Sequence, residues 1–379
     1  MQPRHLVDTT LLHSPTSGGV RRYLNAKHDW LATQPGWLHT VLVPGSERRI
    51  ERGGLSTLPG VAMPGSFNYR LPLTPRLWMR MLDALQPDLI EVGDTFHPAW
   101  AALSVARRRG IPAAAFFHSN LPRIMARRIG GRLTERMLGR YVRWLYERFD
   151  VVFAPSLQAL EFLNGIDIRH AVHQPLGVDA NMFHPRRRGD WLRGWLGLGP
   201  ESRVLVYAGR FTGEKNVPVL LRAFARLGRP HHLLMIGGSR QGRIAANVTV
   251  LPYRRDGIEL ARWLASADAL VHAGTRETFG LVILEAMACG RPVVAARAGA
   301  VPELVDHHVG IMAEPEDADS LSEAIVTLYQ RDLDVLGANA RARVLRQFTW
   351  QTTFQGQMAV YRALLAGEPT GAEQAIEAG

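Results

Sequence analysis

Two glutamates, Glu277 and Glu285, stand eight positions apart in the stretch "TRETFGLVILEAMACG". The second is set in a nearly unbroken apolar run of Leu281, Val282, Ile283, Leu284, Ala286 and Met287. A helix that is apolar on every side is a buried helix, and an ionised carboxylate inside one is costly unless a partner satisfies it. The pattern predicts a helix opening near Phe279 and running through Ala288. Its start offers free backbone N–H groups and the positive end of the helix dipole, which together suit an anion. A ligand with an anionic centre and hydroxyls on either side would meet both carboxylates. A sugar nucleotide has that layout: diphosphate in the middle, hexose toward Glu277, ribose toward Glu285. Pairing of Glu285 with a buried arginine is the alternative.

A second pair of charges precedes these. In "VLVYAGRFTGEKNVPVLLRAF" a strand ends at Gly209, followed by Arg210, a turn, Lys215 and a new helix. Two cations five residues apart at a strand's carboxyl end can reach one diphosphate from two directions. Of the 45 basic residues only Lys27 and Lys215 are lysines. Against that background Lys215 invites a functional reading, with solvated loop charges as the alternative. A pyridoxal phosphate chemistry needs a lysine of its own. Lys27 in the first helix and Lys215 in this element leave none for it.

These residues need a scaffold, and the rest of the sequence describes one. "HTVLVPG", "PDLIEVGD", "IPAAAFFH" and "DVVFAPS" are short apolar runs ending in turn residues, with helical text between them. Continuous apolar strands that alternate with helices predict an α/β fold with parallel sheets covered on both faces. The text between Gly177 and Pro200 turns to prolines, glycines and a charge run. The pattern then restarts with "RVLVYAGR", "HHLLMIGG", "VTVLPY", "DALVHAG" and "RPVVAAR". A chain of 379 residues is long for one core,. The expected division is a first Rossmann-like domain at 1–180, a linker at 181–200, a second such domain at 201–360 and a helix or tail at 361–379. Two such units facing across a cleft would bind ligands at the carboxyl ends of their strands.

"GRFTGEK" followed by "ETFGLVILEAMACG" resembles the GT-B retaining glycosyltransferases of family four, with their G-R-x(4)-K and E-x(7)-E elements. The resemblance extends to "SGGVRRY", "FFH", "PLGVDANMF" and "GAVPELVD", and so covers nearly the whole chain. It departs at Gly299–Ala300, where the family usually has two glycines. The resemblance implies that Arg210 and Lys215 stabilise a leaving diphosphate. Glu277 would bind hexose hydroxyls, Glu285 the ribose, and the amides of Phe279, Gly280 and Leu281 the phosphates. Gly18 and Gly19 would let the N-terminal loop approach the donor closely, and His118 would contact the sugar near the reacting carbon. The base would sit near "LPYRRDG", beside Tyr253 and Arg254. The text from "ELA" through "DALVHAG" to the E-x(7)-E helix leans toward mannosyltransferases that use GDP-mannose, with a UDP-hexose as the runner-up. On the acceptor side, Asp94, Thr95 and His97 follow the strand "DLIEV". Asp94 is a candidate to help the acceptor hydroxyl lose its proton, as any carboxylate at a strand end would be. Front-face attack without a covalent enzyme intermediate is the implied mechanism, and neither a cofactor nor a metal is expected. "DAD" at 317–319 and "DLD" at 332–334 read as surface or capping residues.

Charge adds a partner class. Residues 1–189 carry 25 Lys+Arg against 14 Asp+Glu, and the remaining residues carry 20 of each, so the whole excess of 11 lies in the first half. That half is expected to meet something anionic. In "RIMARRIGGRLTERMLGRYVRWLYERF", Ile129, Leu133, Met137, Tyr141, Leu145 and Phe149 recur every four residues beside Arg128, Arg132, Arg136 and Arg140. Such a helix suits an anionic membrane surface, and "FNYRLPLTPRLWMRML" adds arginines among aromatics. The alternative is that both helices pack their apolar faces on the sheet. The family resemblance favours a lipid or glycan acceptor. No basic-aromatic module supports nucleic-acid binding. One cysteine, no signal-peptide layout and no apolar run of spanning length predict a cytoplasmic protein,. The basic half together with the family resemblance implies peripheral contact with the inner face of the plasma membrane as the further expectation.

Overall fold

The computed structural model describes residues 3–13, 18–62, 69–72, 74–125, 130–239, 241–254 and 256–369. Phe67, Asn68, Leu73, Arg128 and Ile129, which belong to the arginine-rich stretches, lie outside the described residues. The chain forms two compact units, one containing residues up to Pro175 together with the stretch from Trp350, the other Leu176–Thr349.

In the first unit the strands are β1 (Arg4–Thr9), β2 (Trp37–Gly45), β3 (Leu55–Pro59), β4 (Val61–Ala62), β5 (Arg70–Leu71), β6 (Leu89–Val92), β7 (Ala113–Phe116), β8 (Val151–Ala154) and β9 (Ala171–His173). Seven of them make a parallel sheet in the order β3-β2-β1-β6-β7-β8-β9, and β4 and β5 form a small antiparallel pair. Helices cover both faces, so β6, β7 and β8 are buried along their whole length, which suits the apolar text of β7 and β8 and leaves Glu91 of β6 as a buried carboxylate,. Trp78, Met81, Leu82 and Leu85 of the helix Pro75–Leu85 enter this core.

One helix of the first unit, Gly19–Ala32, buries a charge at its centre. Lys27 is 1% exposed, and its Nζ donates to Asp8 Oδ1 (3.0 Å), Glu91 Oε1 (2.9 Å) and the Tyr361 hydroxyl (2.7 Å). Tyr23 also donates to Glu91 Oε1 (2.7 Å), Tyr361 donates to Glu91 Oε2, and Gln357 Nε2 donates to the Tyr23 hydroxyl. Tyr361 and Gln357 come from the helix Trp350–Ala366, which is thereby tied to β1 and β6.

In the second unit the strands are β10 (Arg203–Ala208), β11 (His231–Gly238), β12 (Gly242–Ala245), β13 (Val248–Pro252), β14 (Ala269–His272), β15 (Val293–Ala296) and β16 (Gly310–Ala313). Their order is β12-β13-β11-β10-β14-β15-β16, parallel except for β12 at the edge. Asp317 and Asp332, from the two D-x-D strings, cap helices: each Oδ1 accepts from the backbone N–H groups two and three residues on,.

The division differs from the sequence reading at both ends of the second unit. Residues 181–200, expected as a linker, fold onto it. They contain the helix Trp191–Leu196, where Leu192 and Leu196 are buried, Trp191 and Trp195 pack edge-on against Trp263, and Arg193 holds Asp268 at 2.7 Å. Residues 350–360, expected in the second domain, belong to the first. Thr353, Phe354, Gln357 and Met358 are buried there. Turn-rich text marks irregular backbone, and it hides the few large apolar side chains that decide where a segment packs.

Candidate functional site

Doubly wound sheets bind ligands where the strand order reverses, because adjacent loops there lead to opposite faces and leave a crevice. In the second unit that point lies between β10 and β14. Arg210 and Lys215 follow β10, and Glu277 follows β14, so the two motifs meet at the crevice. Several bonds draw their loops together. Asn216, with φ 49°, sends Nδ2 to the carbonyl of Ala273 at 3.0 Å, and Thr275 N–H donates to the carbonyl of Glu214 at 3.2 Å. Tyr207 turns its hydroxyl to the carbonyl of Arg210 at 2.9 Å, folding the end of β10 back on itself. At Gly237 a Cβ would lie 2.0 Å from the carbonyl oxygen of Gly209, so only glycine lets β11 pass so close to this turn,.

Lys215 Nζ bonds Glu277 Oε1, and His272 Nε2 lies 2.9 Å from the same oxygen. Burial by itself would raise the Glu277 pKa. The Lys215 ammonium and the hydrogen bond from His272 outweigh it and hold the carboxyl well below the usual carboxylate range,. Glu277 is therefore ionised throughout the neutral range.

The E-x(7)-E helix spans Leu281–Ala288. It starts two residues later than its periodicity suggests, because Gly280 takes φ 101°, which a helix cannot continue through,. Phe279 turns inward, edge-on to Phe348 with ring centroids 6.1 Å apart. Glu285 lies four residues beyond the helix start, about 6 Å along the axis, and is 2% exposed. Tyr253 and Arg254 follow β13, on the same edge of the sheet but two strands from β10, and Arg254 reaches Glu259 at 3.3 Å.

The first unit repeats the topology, with its reversal between β1 and β6. Thr9, Thr10, Val20, Leu24, Gly93 and His118 surround a recess there. The His118 ring stacks on Phe116 at 4.4 Å and meets Tyr23 edge-on at 5.1 Å. Burial pushes its pKa down to about 3, so the ring is neutral at physiological pH. Gly18 has φ −80°, and among the described residues beyond its chain neighbours a Cβ there would meet no atom within 4 Å. Gly19 is the first residue of its helix. Among the described residues no contact demands glycine at position 18.

Asp94 is engaged otherwise than as a free base. Its Oδ2 accepts from Thr10 Oγ1 (2.9 Å) and the Leu11 N–H (2.5 Å), and its Oδ1 from the Phe96 N–H (2.8 Å). It braces the loops after β1 and β6. Thr95 offers its carbonyl to the Tyr141 hydroxyl, and His97 opens the helix His97–Arg109. Two participants were missed in the sequence: His272, hidden as the last residue of an apolar strand, and Asn216, whose left-handed backbone is not legible beforehand. A polar residue ending a buried strand five positions before Glu277 was the available signal for His272.

Two Rossmann-like units, each with a strand-order reversal at its centre, share their fold with solved GT-B glycosyltransferases. Sucrose-phosphate synthase from Thermosynechococcus elongatus superposes with a TM-score of 0.80 at 21% identity, over 96% of this chain and 100% of that one. Anabaena HepE, solved in complex with UDP-glucose, gives 0.72 at 20% identity, over 94% and 98%. Residues 17–181 match the family model "Glycosyltransferase Family 4", and residues 202–331 match "Glycosyl transferases group 1". A GDP-mannose-dependent alpha-mannosyltransferase of Mycobacterium tuberculosis is 32% identical over 70% of this chain and 71% of its own. A GDP-mannose-dependent alpha-(1-6)-phosphatidylinositol dimannoside mannosyltransferase of the same species is 29% identical over 97% and 99%. The chain belongs to the group 1, family 4 glycosyltransferases, and is a hexosyltransferase.

Proposed function

We propose that this enzyme transfers mannose from GDP-mannose to a glycolipid acceptor, with retention and without a metal ion. The observation that carries the reading is the meeting of Lys215 with Glu277 at the β10/β14 reversal. A cation for phosphate and an ionised carboxylate for sugar hydroxyls stand side by side there. The names of the relatives support the choice of donor and the lipid class of acceptor.

In this reading Arg210, Lys215 and the amides of Phe279, Gly280 and Leu281 take the diphosphate. As the bond from the anomeric carbon to the phosphate oxygen breaks, the electron pair stays on the phosphate, where these groups stabilise it. The acceptor oxygen attacks from the same face, and its proton passes to the departing phosphate. Glu277 binds the hexose, Glu285 the ribose, and Tyr253 and Arg254 lie toward the base. His118, held neutral, and the backbone at Gly18 and Gly19 are assigned to the donor sugar. Thr95 and His97 are assigned to the acceptor, with Asp94 bracing their loop.

The helix Gly131–Tyr146 is assigned to an anionic lipid surface. Leu133 (69%) and Met137 (62%) are exposed, beside the exposed Arg132, Arg136 and Arg140. Leu145 and Phe149, from the same four-residue stripe, are core residues, so among its described members Leu133 and Met137 are the exposed ones. Arg76 and Arg80 are exposed as well, although their helix packs its apolar face inward. No described helix is long and apolar enough to cross a membrane.

Calorimetry with GDP, GDP-mannose, UDP and UDP-glucose, each with and without EDTA, tests the donor. Tight binding of the GDP pair that EDTA leaves unchanged supports the reading. Binding of the UDP pair alone would replace the donor, and loss of turnover in EDTA would overturn the metal-free mechanism.

A further inference from the structure

Glu277 is held by two donors, and one of them has another task. In the reading above, Lys215 meets the diphosphate when the donor arrives, and its hold on Glu277 then loosens. His272 has no such second partner. Its Nε2 faces Glu277 Oε1 at 2.9 Å, and its buried Nδ1 has no hydrogen-bond partner among the described residues. With Nδ1 bare and Nε2 against a carboxylate, Nε2 carries a proton and donates it to Glu277,.

The surroundings fix the ring for that one bond. His272 is 1% exposed and lies nearly parallel to Tyr207, 13° between planes and 6.4 Å between centroids. Tyr207 is the residue that holds the carbonyl of Arg210. At Gly274 a Cβ would come within 2.7 Å of His272 Nε2 and 3.2 Å of Glu277 Oε1, so any side chain there would press on the bond itself. The Glu277 backbone is pinned as well. Its carbonyl accepts from Ala300 N–H at 3.0 Å, and a Cβ at Gly299 would lie 2.7 Å from that carbonyl oxygen.

We propose that His272 is a positioning residue: it keeps Glu277 aimed at the hexose of the donor while Lys215 turns to the diphosphate. The inference rests on the proposed role of Glu277 in sugar binding. It assigns to His272 the part of donor affinity that the sugar adds, and none of the part that comes from the nucleotide. Both donors use Oε1, which leaves Oε2 for the sugar hydroxyl.

The test compares calorimetric affinities for GDP and GDP-mannose in the wild type, His272→Ala and His272→Gln. Loss of one hydrogen bond to a charged group predicts a roughly tenfold weaker GDP-mannose complex in His272→Ala, with GDP affinity within about twofold of wild type. His272→Gln, whose amide N–H donates from a similar reach, should recover most of the difference. Should His272→Ala fail to fold, His272→Asn, whose amide stops short of Glu277, takes its place. Equal losses for GDP and GDP-mannose, an unchanged preference, or no recovery in His272→Gln would each overturn the inference. If the wild type prefers UDP and UDP-glucose, the donor reading fails, and the same comparison with that pair decides the role of His272. A wild type that binds no sugar nucleotide overturns both.

Discussion

Lys215 and Glu277, 62 positions apart, form an ion pair whose carboxylate oxygen also faces His272. Their side chains are 17% and 13% exposed, so the pair is largely withdrawn from solvent yet remains at the edge of the crevice. Removing the lysine leaves Glu277 with His272 as partner, which limits the structural damage. Lys215→Ala is expected to lower kcat by about 10²–10³-fold, the range for losing a group that stabilises developing charge. The melting temperature should move by only a few degrees. Steady-state kinetics beside a thermal melt separate the two, and a large fall in melting temperature with little change in kcat would make Lys215 structural.

Glu285 presents the opposite balance, a carboxylate in a helix that is buried from Ile283 onward. Glu285→Gln preserves shape and hydrogen-bonding capacity but removes the charge, so the helix Leu281–Ala288 should persist. If the partner is a ribose, affinity for GDP is expected to fall about tenfold, the cost of weakening a hydrogen bond to a charged acceptor. Calorimetry with GDP alone checks this, because the sugar is then absent. A variant with native affinity and native turnover would make Glu285 a packing residue.

The residues that were legible in advance are those whose type conflicted with their surroundings. A glutamate among leucines and a lysine in a chain of arginines drew attention to the segments that follow β10 and β14, and the alternation of apolar strands with helices predicted the two sheets. The Lys27 cluster was not legible, because Tyr361 stands 334 positions away from Lys27 and nothing local announces their meeting. The helix Trp350–Ala366 was misplaced for the same reason: its apolar spacing fits any core, and only tertiary packing selects the first unit. Asp94 looked available in the sequence because a strand-end carboxylate carries no sign of the backbone N–H groups that will bind it.

Lys27 is expected to be a stability residue with a distinctive pH signature. In the native protein its ammonium and the His39 hydrogen bond offset burial at Asp8 and hold that carboxyl below its ordinary value, whereas burial dominates at Glu91 and raises it. Lys27→Met leaves two carboxylates buried together, at a cost of about 3–5 kcal/mol near neutral pH. Without the ammonium both folded-state pKa values rise above the unfolded ones. The folded variant then binds more protons than the unfolded chain, and its stability falls as pH rises from about 4 toward 7. The deficit relative to wild type should therefore shrink as pH falls. Urea unfolding at pH 5 and pH 7.5 measures it, and a deficit that grows in acid would refute this account of the cluster.

The exposed half of the helix Gly131–Tyr146 gives a prediction with two separable parts. Arginines near an anionic bilayer each contribute about 1 kcal/mol, screened by salt, whereas buried apolar side chains contribute by area and are insensitive to salt. Vesicles rich in phosphatidylglycerol should therefore bind the enzyme more tightly than phosphatidylcholine vesicles at low ionic strength. Replacing Arg132, Arg136 and Arg140 with glutamine should abolish that preference. Leu133→Asp with Met137→Asp should weaken binding to both kinds of vesicle. Because these five side chains point to solvent, the melting temperature should hardly change. If both sets of substitutions left sedimentation with anionic vesicles at the wild-type level, this helix would have no part in membrane contact. The basic excess of the first half would then have to act through other arginines, with Arg76 and Arg80 of the helix Pro75–Leu85 the next to replace.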